Sequence, residues 1–68
     1  MKIGQFKEYK NYIGSIEITN REHHGSILHI PDLVTYAADS LEELEKEYHK
    51  AVDAYIEFLK NVGRYKNE

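Results

Sequence analysis

The chain has no cysteine and no tryptophan, and only one proline and four glycines, among its 68 residues. Without cysteine there are no disulfides and no thiolate metal sites, which fits a reducing compartment. The apolar runs are a few residues long, far short of the roughly 20 that a membrane-spanning helix needs. Met1 to Tyr9 lacks the apolar core of a secretory signal. These absences make the cytoplasm the expected location, with no membrane contact. Positive charge is also in short supply: nine basic residues stand against twelve acidic ones, for a formal charge of −3. Phosphate binding runs on clustered Lys and Arg, so nucleic acid is disfavoured as a direct partner, whereas docking onto a basic protein surface is allowed.

Signatures of catalysis are missing as well. No G-x-S-x-G elbow surrounds a serine, no glycine-rich phosphate loop is present, and no HExxH spacing exists. His23 and His24 are adjacent in a polar stretch, with His29 and His49 further on. A small enzyme or metal protein built on His23, His24 and His29 is one rival reading. Solvated loop and surface histidines are the simpler one, because neighbours at i and i+1 point apart. The acids have local explanations in helix dipoles, caps and solubility. No cofactor or metal is expected, and the chain is read as non-enzymatic.

What is there is one domain, residues 1–68, near the lower size limit for independent folding. A domain this small buries only about 60% of its unfolded surface, so sharing apolar surface in a homodimer would add to its stability. Six tyrosines supply large rings with polar tips, suited equally to small cores and to interfaces. Residues from Tyr12 to Ile18 alternate in part, with Gly14 breaking the period as a bulge would. Asn20 to Gly25 has the polar, glycine-ended chemistry of a hairpin loop. Gly25 to Ile30 reads as a second strand ended by Pro31, and Leu33 to Tyr36 as a third. Short links between consecutive strands favour an antiparallel meander.

The rest reads as one long helix. Ser40-Leu41-Glu42-Glu43 fits a capping box, and Gly63 is a natural residue just past the C-terminus. Leu41, Leu44, Tyr48, Ala51, Tyr55, Leu59 and Val62 recur at spacings of three and four, and Val52, Ile56 and Phe58 widen that stripe. Tyr48, Tyr55 and Phe58 are expected in the core, while Ile56 and Tyr9 suit core and interface equally. Glu42, Glu43 and Glu45 complement the positive end of the helix dipole, and Lys60 and Arg64 the negative end. The fold class expected is α+β, a three- to four-stranded antiparallel sheet packed on one long helix.

Five blocks, in this order and spacing, resemble the HicB family of antitoxins: Tyr12-Ile13-Gly14-Ser15-Ile16-Glu17, Gly25-Ser26-Ile27-Leu28, Asp32-Leu33-Val34-Thr35-Tyr36, Asp39-Ser40-Leu41-Glu42-Glu43-Leu44 and Ala51-Val52-Asp53-Ala54-Tyr55-Ile56-Glu57-Phe58. The resemblance runs from about Tyr9 to Gly63. It implies a partial RNase H-like fold without nuclease residues. It also implies a partner, a small basic HicA-like toxin of double-stranded-RNA-binding fold that cleaves mRNA and whose active site the antitoxin blocks. Many members add a DNA-binding domain. None is read within these 68 residues, so direct DNA binding is not expected. Ala37-Ala38 and Ala54 stand where the family commonly has acidic residues or glycine. On this resemblance the partner-binding residues would be Asp32, Leu33, Thr35 and Tyr36, with Glu42 and Glu45 of the early helix. The alternative is an orphan protein-binding or structural module of the same fold without a toxin.

Overall fold

The computed structural model describes residues 2–64. Its elements run β1 (Lys2–Gln5), β2 (Ser15–Thr19), β3 (Glu22–Ser26), β4 (Thr35–Ala38) and α1 (Leu41–Asn61). The strands form one antiparallel sheet in the order β1-β2-β3-β4, and the helix packs on β4 and β3. The chain is therefore α+β, with the expected meander at four strands. Among the described residues, no helix is long and apolar enough to cross a membrane.

The helix follows from its local chemistry. The Ser40 hydroxyl accepts the Glu43 amide at 3.2 Å, relieving one of the unpaired N-terminal donors. The Glu43 carboxylate itself faces Lys46 at 3.7 Å. At the other end Gly63 takes φ +72°, and the amides of Gly63 and Arg64 bond the carbonyls of Lys60 and Leu59. That is a Schellman stop, in which glycine adopts the left-handed conformation without steric cost.

Leu44, Tyr48 and Val52 are completely buried, joined by Tyr55, Ile56 and Leu59. Burying a Leu or Val side chain of this kind stabilises by roughly 1.5–3 kcal/mol. Leu41, Phe58 and Val62 depart from the expected stripe, at 47%, 48% and 51% exposure. Leu41 and Val62 share the buried face but overhang the sheet. The helix is about 31 Å long at 1.5 Å per residue, and strands of four or five residues reach only about 13–17 Å. Phe58 sits about 80° around the helix from Tyr48 at about 100° per residue, on the flank above the β4 edge. Ile56 falls in the core, and Tyr9 packs against it half-buried.

The strands correct the sequence reading in three places. The loop expected over Asn20 to Gly25 contracts to Asn20-Arg21, both with positive φ (47° and 73°), because two left-handed residues close a hairpin with the twist of its strands. Glu22, His23 and His24 are thus strand residues. The expected strand Gly25 to Ile30 ends its regular pairing at Ser26, and His29 at φ 60° turns the chain before Pro31 is reached. The last strand lies at Thr35–Ala38 instead of Leu33 to Tyr36, so Leu33 stays outside it. β1 has no counterpart in the sequence reading; its strand character comes from pairing with β2.

The bulge expected at Gly14 does not form, because the β2–β3 register is the same on both sides of it and no residue is inserted. Regular pairing covers Glu17 to Thr19 and returns at Gly14↔Ile27; between them the Ser26 amide bonds the Ser15 side-chain oxygen at 2.9 Å. Gly25 is needed there. A Cβ at Gly25 would strike the Ser15 carbonyl oxygen and come within 2.8 Å of the Tyr36 ring. Register puts Glu17, His24 and Ala37 in one row on the open sheet face. Tyr36, one position on, turns to the helix, its ring 5.8 Å from that of Tyr48.

Candidate partner-binding surface

The segment between β3 and β4 is held by a carboxylate clamp. Asp32 Oδ2 accepts hydrogen bonds from the Tyr55 hydroxyl at 2.8 Å and the Arg64 guanidinium at 2.7 Å. The Tyr55 bond first, and then Arg64, hold the Asp32 carboxyl below its ordinary pKa, against the opposing effect of desolvation. With Asp32 anchored to both the middle and the end of the helix, the next residue is thrown outward. Leu33 is 87% exposed, the most exposed large apolar side chain among the described residues. It stands at the rim of a groove of about 480 Å³ between Leu33–Thr35 and the helix flank of Ala51, Ala54 and Phe58.

The structure brings together Asp32, Leu33 and Thr35 of the expected site. It does not bring the other three to them. Tyr36 is buried at 7% exposure, and its hydroxyl donates to the Ser15 carbonyl at 2.8 Å. Burial, reinforced by the neighbouring Tyr48, pushes its pKa up. Tyr36 is therefore a core residue, because strand alternation turns it inward between exposed Thr35 and Ala37. Glu42 and Glu45 are exposed on the first turns of the helix. At about 100° per residue they lie on the flank opposite Ala51, Ala54 and Phe58.

Further along the helix, at His49 and Asp53, that opposite flank is covered by the N-terminal segment. Tyr9 stacks on His49 with ring centroids 4.0 Å apart, and its hydroxyl bonds Asp53 at 3.2 Å. Lys10 reaches Asp53 at 2.8 Å, and this bond is the main reason that the Asp53 carboxyl titrates below its ordinary value. Tyr48 secures the same segment from beneath, donating to the carbonyls of Lys7 (3.0 Å) and Tyr12 (2.6 Å). The β4 flank, by contrast, keeps a groove with exposed apolar walls.

Phe58, Ala51 and Ala54, with Val34 and Tyr55, are the groove residues that the sequence reading missed. The signal was present in part, since Phe58 falls at the margin of the apolar stripe. The histidines do not converge: His23 pairs with Ala38 and Ile18 on one face, His24 with Glu17 and Ala37 on the other. Among the described residues, no three His, Asp or Glu side chains are grouped to hold a metal ion. Each shifted tyrosine or carboxylate described above is engaged in a hydrogen bond that ties two segments of the fold together.

In comparisons with known proteins, no family model matches the chain, and no curated protein or solved structure matches it either.

Proposed function

We propose that this chain is a non-enzymatic antitoxin of HicB type, which binds a small basic RNA-cleaving toxin and covers its active site. The observation that carries the reading is Leu33, 87% exposed on an anchored loop beside an apolar groove. Together with Phe58, 48% exposed across the groove, it makes an exposed apolar patch of the kind that protein contacts use. The sequence blocks that resemble the family include this same segment. The mechanism is steric occlusion. The net charge of −3 adds electrostatic steering toward a basic partner, and steering raises the association rate more than it raises the final affinity.

Asp32 positions the loop, while Leu33 and Thr35 make contact. Glu42 and Glu45, on the far flank, contribute to long-range attraction instead of to the same footprint. Tyr36 supports the strand from inside. The test is co-expression with the product of a neighbouring short reading frame that encodes a basic protein, scored by growth. Rescue by the natural chain and its loss in Leu33→Arg, with the helical circular dichroism unchanged, is the expected result. A partner complex that forms equally well with Leu33→Arg would overturn the assignment of this surface.

A further inference from the structure

β4 is an edge strand, and apart from its length of four residues it carries none of the usual defences against pairing. From Leu33 to Ala38 the sequence is Leu-Val-Thr-Tyr-Ala-Ala, without charge, proline or glycine. Monomeric proteins blunt such edges with lysine, proline or bulges, because an open row of amides and carbonyls templates another strand. The Ile27 amide bonds the Val34 carbonyl at 3.0 Å, and the ladder continues through Gly25↔Tyr36 and His23↔Ala38. In an antiparallel strand alternate residues direct both backbone groups to the same side. Val34, Tyr36 and Ala38 therefore bond β3, and Thr35 and Ala37 present their amides and carbonyls off the sheet edge.

From this geometry we infer that β4 pairs antiparallel with β4 of a second copy of the chain, Thr35 opposite Ala37 on each side of a two-fold axis at Tyr36. This register sets outward-facing groups against outward-facing groups, giving two reciprocal hydrogen-bonded pairs. A shift by one residue would oppose outward groups to inward ones and turn the two helices to opposite faces. In the inferred register both helices lie on one face of an eight-stranded sheet. Each helix rests on β4 and β3, so with strands about 4.8 Å apart the two axes fall about 10 Å from one another. That is the upper end of the normal helix-packing distance of about 8–10 Å. The facing flanks are Ala51, Ala54 and Phe58, two small residues beside one large one, which two-fold symmetry makes complementary to itself.

A second copy fits better than an open-ended assembly. Pairing of β4 with β1 of another molecule would be head-to-tail and would keep growing unless its rotation closed a ring. Leu33 falls opposite Asp39 of the second copy, an exposed carboxylate just past the paired residues, and Asp32 on the other side already has Arg64 at 2.7 Å as counter-ion. The inference stands on edge geometry and does not depend on the toxin reading. Leu33 and Thr35 belong to both surfaces, so self-pairing and toxin capture would compete.

Sedimentation and light scattering on the full chain test the state, with hydrogen exchange by NMR to locate the seam. The expected result is a mass twice 8.0 kDa and slow exchange at the amides of Thr35 and Ala37. Leu33→Asp and Ala54→Glu, both at exposed positions, should each weaken self-association at least tenfold while the far-ultraviolet spectrum is kept. A mass of 8.0 kDa at every concentration overturns the inference. So does a dimer in which those two amides exchange rapidly, or one indifferent to both substitutions.

Discussion

Replacing Gly25 with alanine should be among the most damaging single-methyl changes in this protein. The added Cβ would meet the Ser15 carbonyl oxygen, a backbone atom, and would stand 2.8 Å from Cε1 of Tyr36. Neither neighbour can yield easily. The Ser15 carbonyl accepts the Tyr36 hydroxyl at 2.8 Å, and the Ser15 side chain holds the Ser26 amide at 2.9 Å. Relief therefore requires moving β2 away from β3 or expelling Tyr36 from the core. Overpacking of this kind costs about 1–3 kcal/mol and sometimes more. A 68-residue chain at roughly 0.05–0.15 kcal/mol per residue has about 3–10 kcal/mol in total. A loss near the top of the range should lower the melting temperature by about 12–24 °C, taking about 4–8 °C per kcal/mol. Gly4 is the internal control, because a Cβ there meets nothing within 4 Å. Alanine at Gly4 should be neutral or stabilising, given the entropic cost of glycine in a strand. Thermal melts of the two variants followed by circular dichroism decide the matter. If Gly25→Ala melts within a degree or two of Gly4→Ala, the tight β2–β3 approach is not a feature of the folded protein.

Three further outcomes follow from the packing and the titrating groups. Leu44→Ala, at a fully buried position, should cost about 2–5 kcal/mol, whereas Leu41→Ala at 47% exposure should stay within about 0.5 kcal/mol; equal losses in urea unfolding would mean that the helix presents a different face. Tyr36, Tyr48 and Tyr55 all have raised pKa values with burial as the leading cause. The stability they confer is whole below about pH 10 and is lost as the pH rises through their folded values. Tyrosinate absorbance from these three should accordingly appear only together with loss of helix, and ionisation without unfolding would refute the burial. Asp32 and Asp53 are lowered, by the Tyr55 and Lys10 hydrogen bonds first, so their contribution is present above the ordinary 3.8 and disappears as the pH falls through the depressed values. Asp32→Asn should lower the melting temperature at neutral pH and flatten its acid dependence; an unchanged acid limb would show that the clamp does not hold in solution.

How far the sequence could be read varied with the range of the forces involved. Ser40, Gly63 and the buried row from Leu44 to Leu59 were legible because caps and a 3.6-residue period act within a few residues of one another. The shift of the last strand to Thr35–Ala38 was not, because the turn at His29 depends on where β3 leaves its partner. His23 and His24 looked like loop residues until Asn20 and Arg21 proved able to close the hairpin by themselves. Of the residues beside the groove, Asp32, Leu33 and Thr35 were named on the family resemblance, whereas Phe58, Ala51 and Ala54 required knowing which flank of the helix the sheet leaves uncovered. Tyr36 was named as a contact residue on the family resemblance of its segment, yet a shift of one position in a strand exchanges surface for core.

The amino-acid sequence alone determined a single small α+β chain with one well-capped amphipathic helix, since composition, capping chemistry and periodicity are local properties. Only the tertiary structure decided that the sheet has four strands, that Asp32 is clamped between Tyr55 and Arg64, and that β4 is left as an edge strand beside a groove. Those features arise from contacts between residues far apart in the chain, and such contacts exist only once the strands have paired in one particular register.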